Sequence, residues 1–360
     1  MADAAEADSD ASLARSLDEV WIDGHLDLAS SAIRRGRDLT IGLDALRARE
    51  RARSKEAMVT LPELGEGGVD VVFATLFVLP SAHAEEPGRG TYDDAAQARA
   101  LALQQLELYE RWEAQGRARI LRSRGDLEAL LATSRTTRPL GIVVLMEGAD
   151  PIATPADLAW WVSRGVRIVG PAWKRTRYAG GTGEPGGLSL EGRELIDAMS
   201  ESGVVLDVSH LAEEASWEAV ERHRGPVIAS HSNARARVGT DRHLSDAMLD
   251  TLAERDGVVG IVLANRFLRS AGRSGNQDPP APVGLADVVR QAAYVASRIG
   301  WERVGIGSDF DGGIGRQETP VELDRGKDFV RLSEAVPDRH RSSFLGGAWL
   351  RMLRTALPDG

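Results

Sequence analysis

The sequence predicts a closed (β/α)8 barrel, and three observations carry that expectation. Short apolar, β-branched runs recur eight times along the chain. They are apolar throughout rather than alternating, as parallel strands covered on both faces are. Long amphipathic stretches separate them, so strand and helix alternate in the order a barrel requires. The length of 360 residues suits one barrel of this kind.

In order, the runs are VWIDGHLD (20–27), VDVVFATLFV (69–78), GIVVLMEG (141–148) and GVRIVGPAW (165–173). SGVVLDVSH (202–210), PVIASH (226–231), DGVVGIVLA (256–264) and RVGIGSDFDG (303–312) complete the set. Helical spacing of apolar residues marks 92–112, 190–202, 214–223, 244–255 and 284–300. An open doubly wound sheet is the structural alternative. It would usually carry a glycine fingerprint after its first strand, and DGHLDLA has none. Long polar loops at 80–95 and 268–284 follow strands two and seven, where a lid or substrate loop of a barrel belongs.

Hydrophobic residues make up 42% of the chain and charged residues 27%, the balance of a globular protein with a large core. The net charge of −10 argues against a nucleic-acid partner, because an acidic surface repels phosphate. With no cysteine, disulfides, thiolate ligands and a cysteine nucleophile are excluded. The segment MADAAEADSDASLARS lacks the basic start and apolar stretch of a secretory signal. Residues 1–15 are expected to be a disordered acidic tail, and 16–360 a single catalytic domain. No window suggests a membrane helix, so the expected location is cytoplasmic.

Polar residues gather at one end of the apolar runs. Strand one ends in His25 and Asp27, strand three in Glu147, strand five in His210, strand six in His231, and strand eight in Asp309 and Asp311. In a closed barrel these ends converge on one mouth. His25 and Asp27 stand two residues apart, on one face of a strand. Each residue alone has a plainer role: a histidine as a hydrogen-bonded rim residue, Glu147 or Asp309 as a helix cap. The joint position on five strands favours a metal site. Imidazoles with acidic oxygens suit Zn²⁺, with Mn²⁺, Fe or Co as alternatives. Three histidines and several carboxylates exceed the needs of one tetrahedral ion, so two metals are expected, a design that presents a hydroxide nucleophile. His83, His223, His243 and His340 lie in loops or helices and are expected at the surface, His243 being a partial exception because of its nearness to Arg242.

The motifs DGHLD, MEG, DVSH, ASHSNAR and GIGSDFDG, in this order, resemble the membrane (renal) dipeptidase family of metal-dependent, amidohydrolase-like barrels. The resemblance runs from about Trp21 to about Leu353. It implies a metallo-dependent hydrolase barrel with two zinc ions. It implies that His25 and Asp27 bind one, His210 and His231 the other, and that Glu147 bridges them. It implies that Asp309 is the acid/base of dipeptide hydrolysis, leaving Asp311 to hold its loop. It also implies that Arg242 grips the substrate carboxylate, for which its planar fork is suited. A homodimer is a further implication.

Departures from the family pattern are expected around the substrate. Trp173 stands where the family has a substrate-binding histidine, and indole offers one N–H donor and no positive charge. Val262 and Leu263 replace an Asn-Phe pair, and Ala348 replaces an asparagine. Lys174 could in principle bridge metals as a carboxylated lysine, a role Glu147 already fills. Three readings follow. The first is a zinc dipeptidase. The second is an amidase of the same scaffold acting on a peptide-like metabolite, which Trp173 favours. The third, a catalytically inert scaffold, is opposed by the intact ligand set and Asp309.

Overall fold

The computed structural model describes residues 19–50, 56–84, 90–270 and 282–360. All eight apolar runs form strands: β1 (Ile22–Leu26), β2 (Val71–Phe77), β3 (Leu140–Glu147), β4 (Val166–Gly170), β5 (Val205–Asp207), β6 (Val227–Ala229), β7 (Val258–Ile261) and β8 (Val304–Ile306). They pair in parallel in the order β2-β1-β8-β7-β6-β5-β4-β3, and β3 pairs back onto β2, so the sheet closes. The closing seam runs from Val71 opposite Gly141 to Phe77 opposite Glu147. A short strand, Ala118–Ile120, adds beside the start of β3.

Five helices form where apolar spacing puts them, α2 (Ala95–Ala114), α4 (Leu190–Glu201), α5 (Glu213–Arg222), α6 (Asp246–Glu254) and α7 (Leu285–Ile299), and α1 (Leu28–Arg35), α3 (Leu158–Ser163) and α8 (Ala348–Ala356) are further helices that the spacing did not mark. Several start on a side-chain cap. Asp94 accepts from the Gln97 N–H at 2.8 Å, and Ser189 from the Gly192 N–H at 3.0 Å. Such caps satisfy N–H groups that the first turn leaves open.

The strands carry two cores. Val72, Ala74, Leu76, Ile142, Val144 and Met146 pack against the helices. Ile22, Val71, Phe73, Val143, Leu145, Ile168, Val205, Ile228 and Val258 fill the barrel, joined by Trp349 of α8. The Trp349 indole donates to the Ile306 carbonyl at 2.8 Å and meets the Phe73 ring edge-on at 5.0 Å. Gly24 and Gly305 make room for it, because a Cβ there would lie 2.6 and 2.4 Å from the indole. Ala348 belongs to this closed core. Its departure from the family pattern is therefore not at the substrate, contrary to the sequence expectation: α8 plugs the barrel with its apolar face.

With the lower barrel filled by carbon, polar side chains gather toward the strand ends, and Asp23 within β1 is satisfied by the N–H and hydroxyl of Ser308. After β4 a hairpin, Ala179–Gly181 with Glu184–Leu188, bridges to Leu211 beside β5. After β2, Leu79–Pro80 pairs with Thr91–Tyr92 around a 3-10 turn at Ser81–His83. The expected tail at 1–15 lies outside the described residues, as do parts of both expected loops. Among the described residues no helix is long and apolar enough to cross a membrane.

Candidate metal centre

Four of the sequence-selected residues meet at the mouth. The Nε2 atoms of His25, His210 and His231 lie 3.4, 3.2 and 3.6 Å from the carboxylate oxygens of Glu147. The His210 and His231 Nε2 atoms face each other at 3.1 Å. The His25 and His231 rings stack with centroids 3.5 Å apart. His25, Glu147 and His231 each offer a ligand atom within 4.8 Å of the others, close enough to share one ion. Nε2 of His25 is buried and makes no hydrogen bond.

The outer nitrogens explain why the inner ones are free. Ser230 Oγ lies 2.9 Å from His231 Nδ1 and 3.2 Å from His25 Nδ1. Asp207 Oδ2 accepts the Ser230 hydroxyl at 2.5 Å, while Asp207 Oδ1 accepts the N–H groups of Ser209 and Ser230. With its proton committed to Asp207, the Ser230 oxygen can only accept from the two imidazoles. That places hydrogen on both Nδ1 atoms and leaves both Nε2 atoms directed at Glu147. Thr182 Oγ1 contacts His210 Nδ1 at 3.0 Å in the same manner. Hydroxyls and carboxylates behind ligating imidazoles orient them for a cation.

The charges want a cation too. Asp27, Glu147 and Asp309 are buried together. Burial and the nearby Glu147 push Asp27 up to about 6. Burial lifts Asp309 well above the carboxylate range, with Asp27 and Glu147 adding to the lift and His25 and Arg242 opposing it. Burial drives Glu147 up as well, but His25 and His210 outweigh it and hold this carboxyl low. Burial lowers His25, yet Glu147, Asp309 and Asp27 raise it to about 9. Burial, with Arg242 nearby, lowers His210 to about 4 and His231 well below its usual value. Two imidazoles held neutral, and a third whose proton is kept only by three crowded carboxyls, fit a divalent ion of the borderline kind, which would take that proton's place.

Asp27 is set slightly apart. β1 ends at Leu26, and Asp27 begins α1. The Thr75 hydroxyl donates to Asp27 Oδ1. The simple strand geometry of an H-x-D pair therefore holds only in part. Asp309 has a left-handed backbone, φ 59°, as do Asp311 at 64° and His210 at 66°. Three strained non-glycine residues at one mouth mark backbone bent to aim side chains. Gly312 leaves space for the Asp309 carboxyl, since a Cβ there would lie 1.8 Å from its Oδ1. Asp311 turns away: it accepts from the Met58 and Val59 N–H groups and lies 3.2 Å from Arg37 Nη1.

Arg242 is buried behind His231. It donates to the His231 carbonyl at 2.6 Å and to Ser232 Oγ at 2.8 Å, and its Nε has no partner. Trp173 stands on the opposite flank, its ring 6.2 Å from that of His210. Lys174 lies over Trp173 and beside the hairpin tip, with Nζ 3.0 Å from where a Cβ of Gly183 would be, rather than at Glu147.

Two expectations fail. His223 and His243 are buried, not at the surface. His223 Nδ1 contacts Ser200 Oγ at 3.1 Å, and His243 Nδ1 contacts the Val238 carbonyl at 3.0 Å. Each imidazole fills a gap between elements while one nitrogen keeps a partner. The sequence reading also passed over Asp23, Thr75, Thr182, Asp207 and Ser230. Asp23 and Asp207 carried a signal, an acid inside an otherwise apolar strand, as in WIDGH and VVLDVSH, which a buried strand accepts only when that acid is hydrogen-bonded, while the hydroxyls of Thr75, Thr182 and Ser230 carried none.

The profile of the membrane dipeptidase family, peptidase family M19, matches residues 15–356. The chain belongs to the membrane dipeptidase family. Its class is that of the metallo-dipeptidase hydrolases. Among solved members, the dipeptidase AC, a metallopeptidase of family M19, superposes with a TM-score of 0.78 at 26% identity, covering 95% of this chain and 99% of that one. A metallopeptidase from Rhodobacter sphaeroides, liganded with a phosphinate mimic of L-Ala-D-Ala, gives 0.77 at 26% identity, covering 94% and 100%. Dipeptidase aclJ of Aspergillus oryzae is 37% identical over 173 residues, 47% of this chain and 39% of its own length. This chain thus spans well under half of that relative. The fit of the mouth to a divalent ion is what a metallopeptidase of this family requires.

Proposed function

We propose that the protein is a binuclear zinc dipeptidase, cleaving the amide bond of small dipeptides that carry a free C-terminal carboxylate. The observation that carries this reading is the convergence of three imidazole Nε2 atoms on Glu147. In it, His25 and Asp27 hold one ion, His210 and His231 the other, and Glu147 reaches both. Divalent ions held there supply an electrophile for the scissile carbonyl and acidify water at neutral pH.

The protein's own groups do the rest. Arg242 binds the terminal carboxylate through the N–H groups that His231 and Ser232 leave free. Its attachment to the His231 carbonyl fixes the distance from that carboxylate to the cluster. A carboxyl oxygen of Asp309 takes the proton of the attacking water and returns it to the leaving amine. Its left-handed backbone and the space beside Gly312 let the carboxyl swing between these two atoms. Ser230, Asp207 and Thr182 hold the imidazole rings still meanwhile.

Trp173 favours a second reading, an amidase of the same scaffold acting on a peptide-like metabolite, because indole cannot carry the positive charge a histidine could. A panel of L,L- and L,D-dipeptides, tested on zinc-loaded and chelated protein, separates the two. Metal-dependent turnover of dipeptides is expected. Zinc binding without turnover of any dipeptide moves the assignment to another amide.

A further inference from the structure

We infer that Phe77, Trp173 and His83 form the subsite for the side chain of the substrate's N-terminal residue, and that this subsite selects large apolar or aromatic side chains. The inference rests on the dipeptide reading above. The Trp173 ring meets Phe77 edge-on at 5.3 Å and His83 edge-on at 6.0 Å. The three rings make a corner beside the cluster, with Trp173 6.2 Å from the His210 ring and Phe77 level with Glu147 across the β2–β3 seam. His83 Nε2 pairs with Glu184 Oε1 at 3.0 Å, both side chains about one-third exposed. That pair ties the turn after β2 to the hairpin after β4. It fixes the corner's shape and contributes little to stability.

Barrel order gives the corner its place along the substrate. Arg242 is anchored on His231, just past β6, and β2 lies diametrically across the ring of eight strands from β6. A dipeptide with its carboxylate at Arg242 and its amide at Glu147 sends its N-terminal residue toward β2, where Phe77 ends the strand and His83 follows. Aromatic rings at these separations and tilts accept another aromatic ring edge-on or offset. Neither sign of charge is favoured, because a cation and an anion flank the corner together. Lys174 Nζ sits 5.9 Å from the Trp173 ring centre and repels cations. Glu184 repels anions, and its carboxylate is already shared between His83 and the Arg175 N–H.

The test is kcat/KM of the zinc-loaded protein for Phe-Ala, Ala-Ala, Ala-Phe, Lys-Ala and Glu-Ala. Phe-Ala is expected to lead. Trp173→Ala should lower the Phe-Ala to Ala-Ala ratio by about tenfold or more, the discrimination one apolar subsite supplies. His83→Asn should lower it less, by loosening the corner. An unchanged ratio in Trp173→Ala, or a preference that follows the C-terminal residue, overturns the inference. Calorimetric binding of phosphinate analogues of Phe-Ala and Ala-Ala needs no turnover. If no dipeptide is hydrolysed, the dipeptide reading falls, and these affinities still decide the subsite: tighter binding of the Phe analogue, lost in Trp173→Ala, upholds it, and equal binding removes it.

Discussion

Asp207 holds Ser230 at two points, accepting its hydroxyl at 2.5 Å and its N–H at 3.0 Å. Through that one hydroxyl oxygen, two imidazoles from different strands, His25 and His231, are turned the same way. Ser230→Ala removes the acceptor for both Nδ1 atoms without adding bulk. Zinc affinity is expected to fall about 10–100-fold, the usual cost of losing an outer partner of a ligand, with the fold intact by circular dichroism. A competition titration against a chromophoric chelator reads it. Wild-type affinity in the variant would mean that Ser230 does not set the imidazoles.

Asp309→Asn tests the proton shuttle. The variant keeps the size of the side chain and the space beside Gly312, and Asp309 lies outside the tight His25–Glu147–His231 group. Metal content is expected to stay at the wild-type level, while kcat falls about 10²-fold or more, the range general acid–base catalysis contributes. Turnover that survives the substitution would take Asp309 out of the mechanism.

Arg242 is buried and already bonded to His231 and Ser232, so its removal also disturbs the wall behind the cluster. A comparison between two substrates cancels that disturbance. Arg242→Ala should raise KM for a free-carboxylate dipeptide about 10–100-fold, as expected from a lost hydrogen bond to a charged group. The C-terminally amidated analogue should change far less. Equal changes for both would show that Arg242 does not read the carboxylate.

The barrel was legible because its signal is repetitive. Each apolar run from VWIDGHLD to RVGIGSDFDG became a strand, and polar residues at the same end of each run could converge only on the mouth. What the sequence hid depends on three-dimensional neighbours. Ser230 sits in PVIASH as an ordinary small residue, and nothing along the chain says that it faces His25, 205 positions away. His223 and His243 look like polar helix and loop residues, yet packing from separate elements closes over both. Ala348 was misplaced for a related reason: a helix at the end of the chain can plug the barrel or line its mouth, and linear order does not distinguish the two.

Those two buried histidines give the protein an acid limit independent of the metal centre. Burial, with Arg255 beside His223 and Arg242 beside His243, lowers each imidazole from its ordinary 6.5 to about 4. Between those values the unfolded chain binds a proton that the folded chain refuses. Their contribution is therefore complete above pH 6.5 and is lost as the pH falls toward 4. The gap of some 2.5 pKa units corresponds to about 3 kcal/mol for each group by pH 4. His223→Gln keeps a polar contact for Ser200 and removes the titration. Urea unfolding of metal-free protein at pH 7, 6, 5 and 4 should show a shallower loss of stability for the variant than for wild type. Parallel curves would mean that His223 is not the group whose protonation opens the fold.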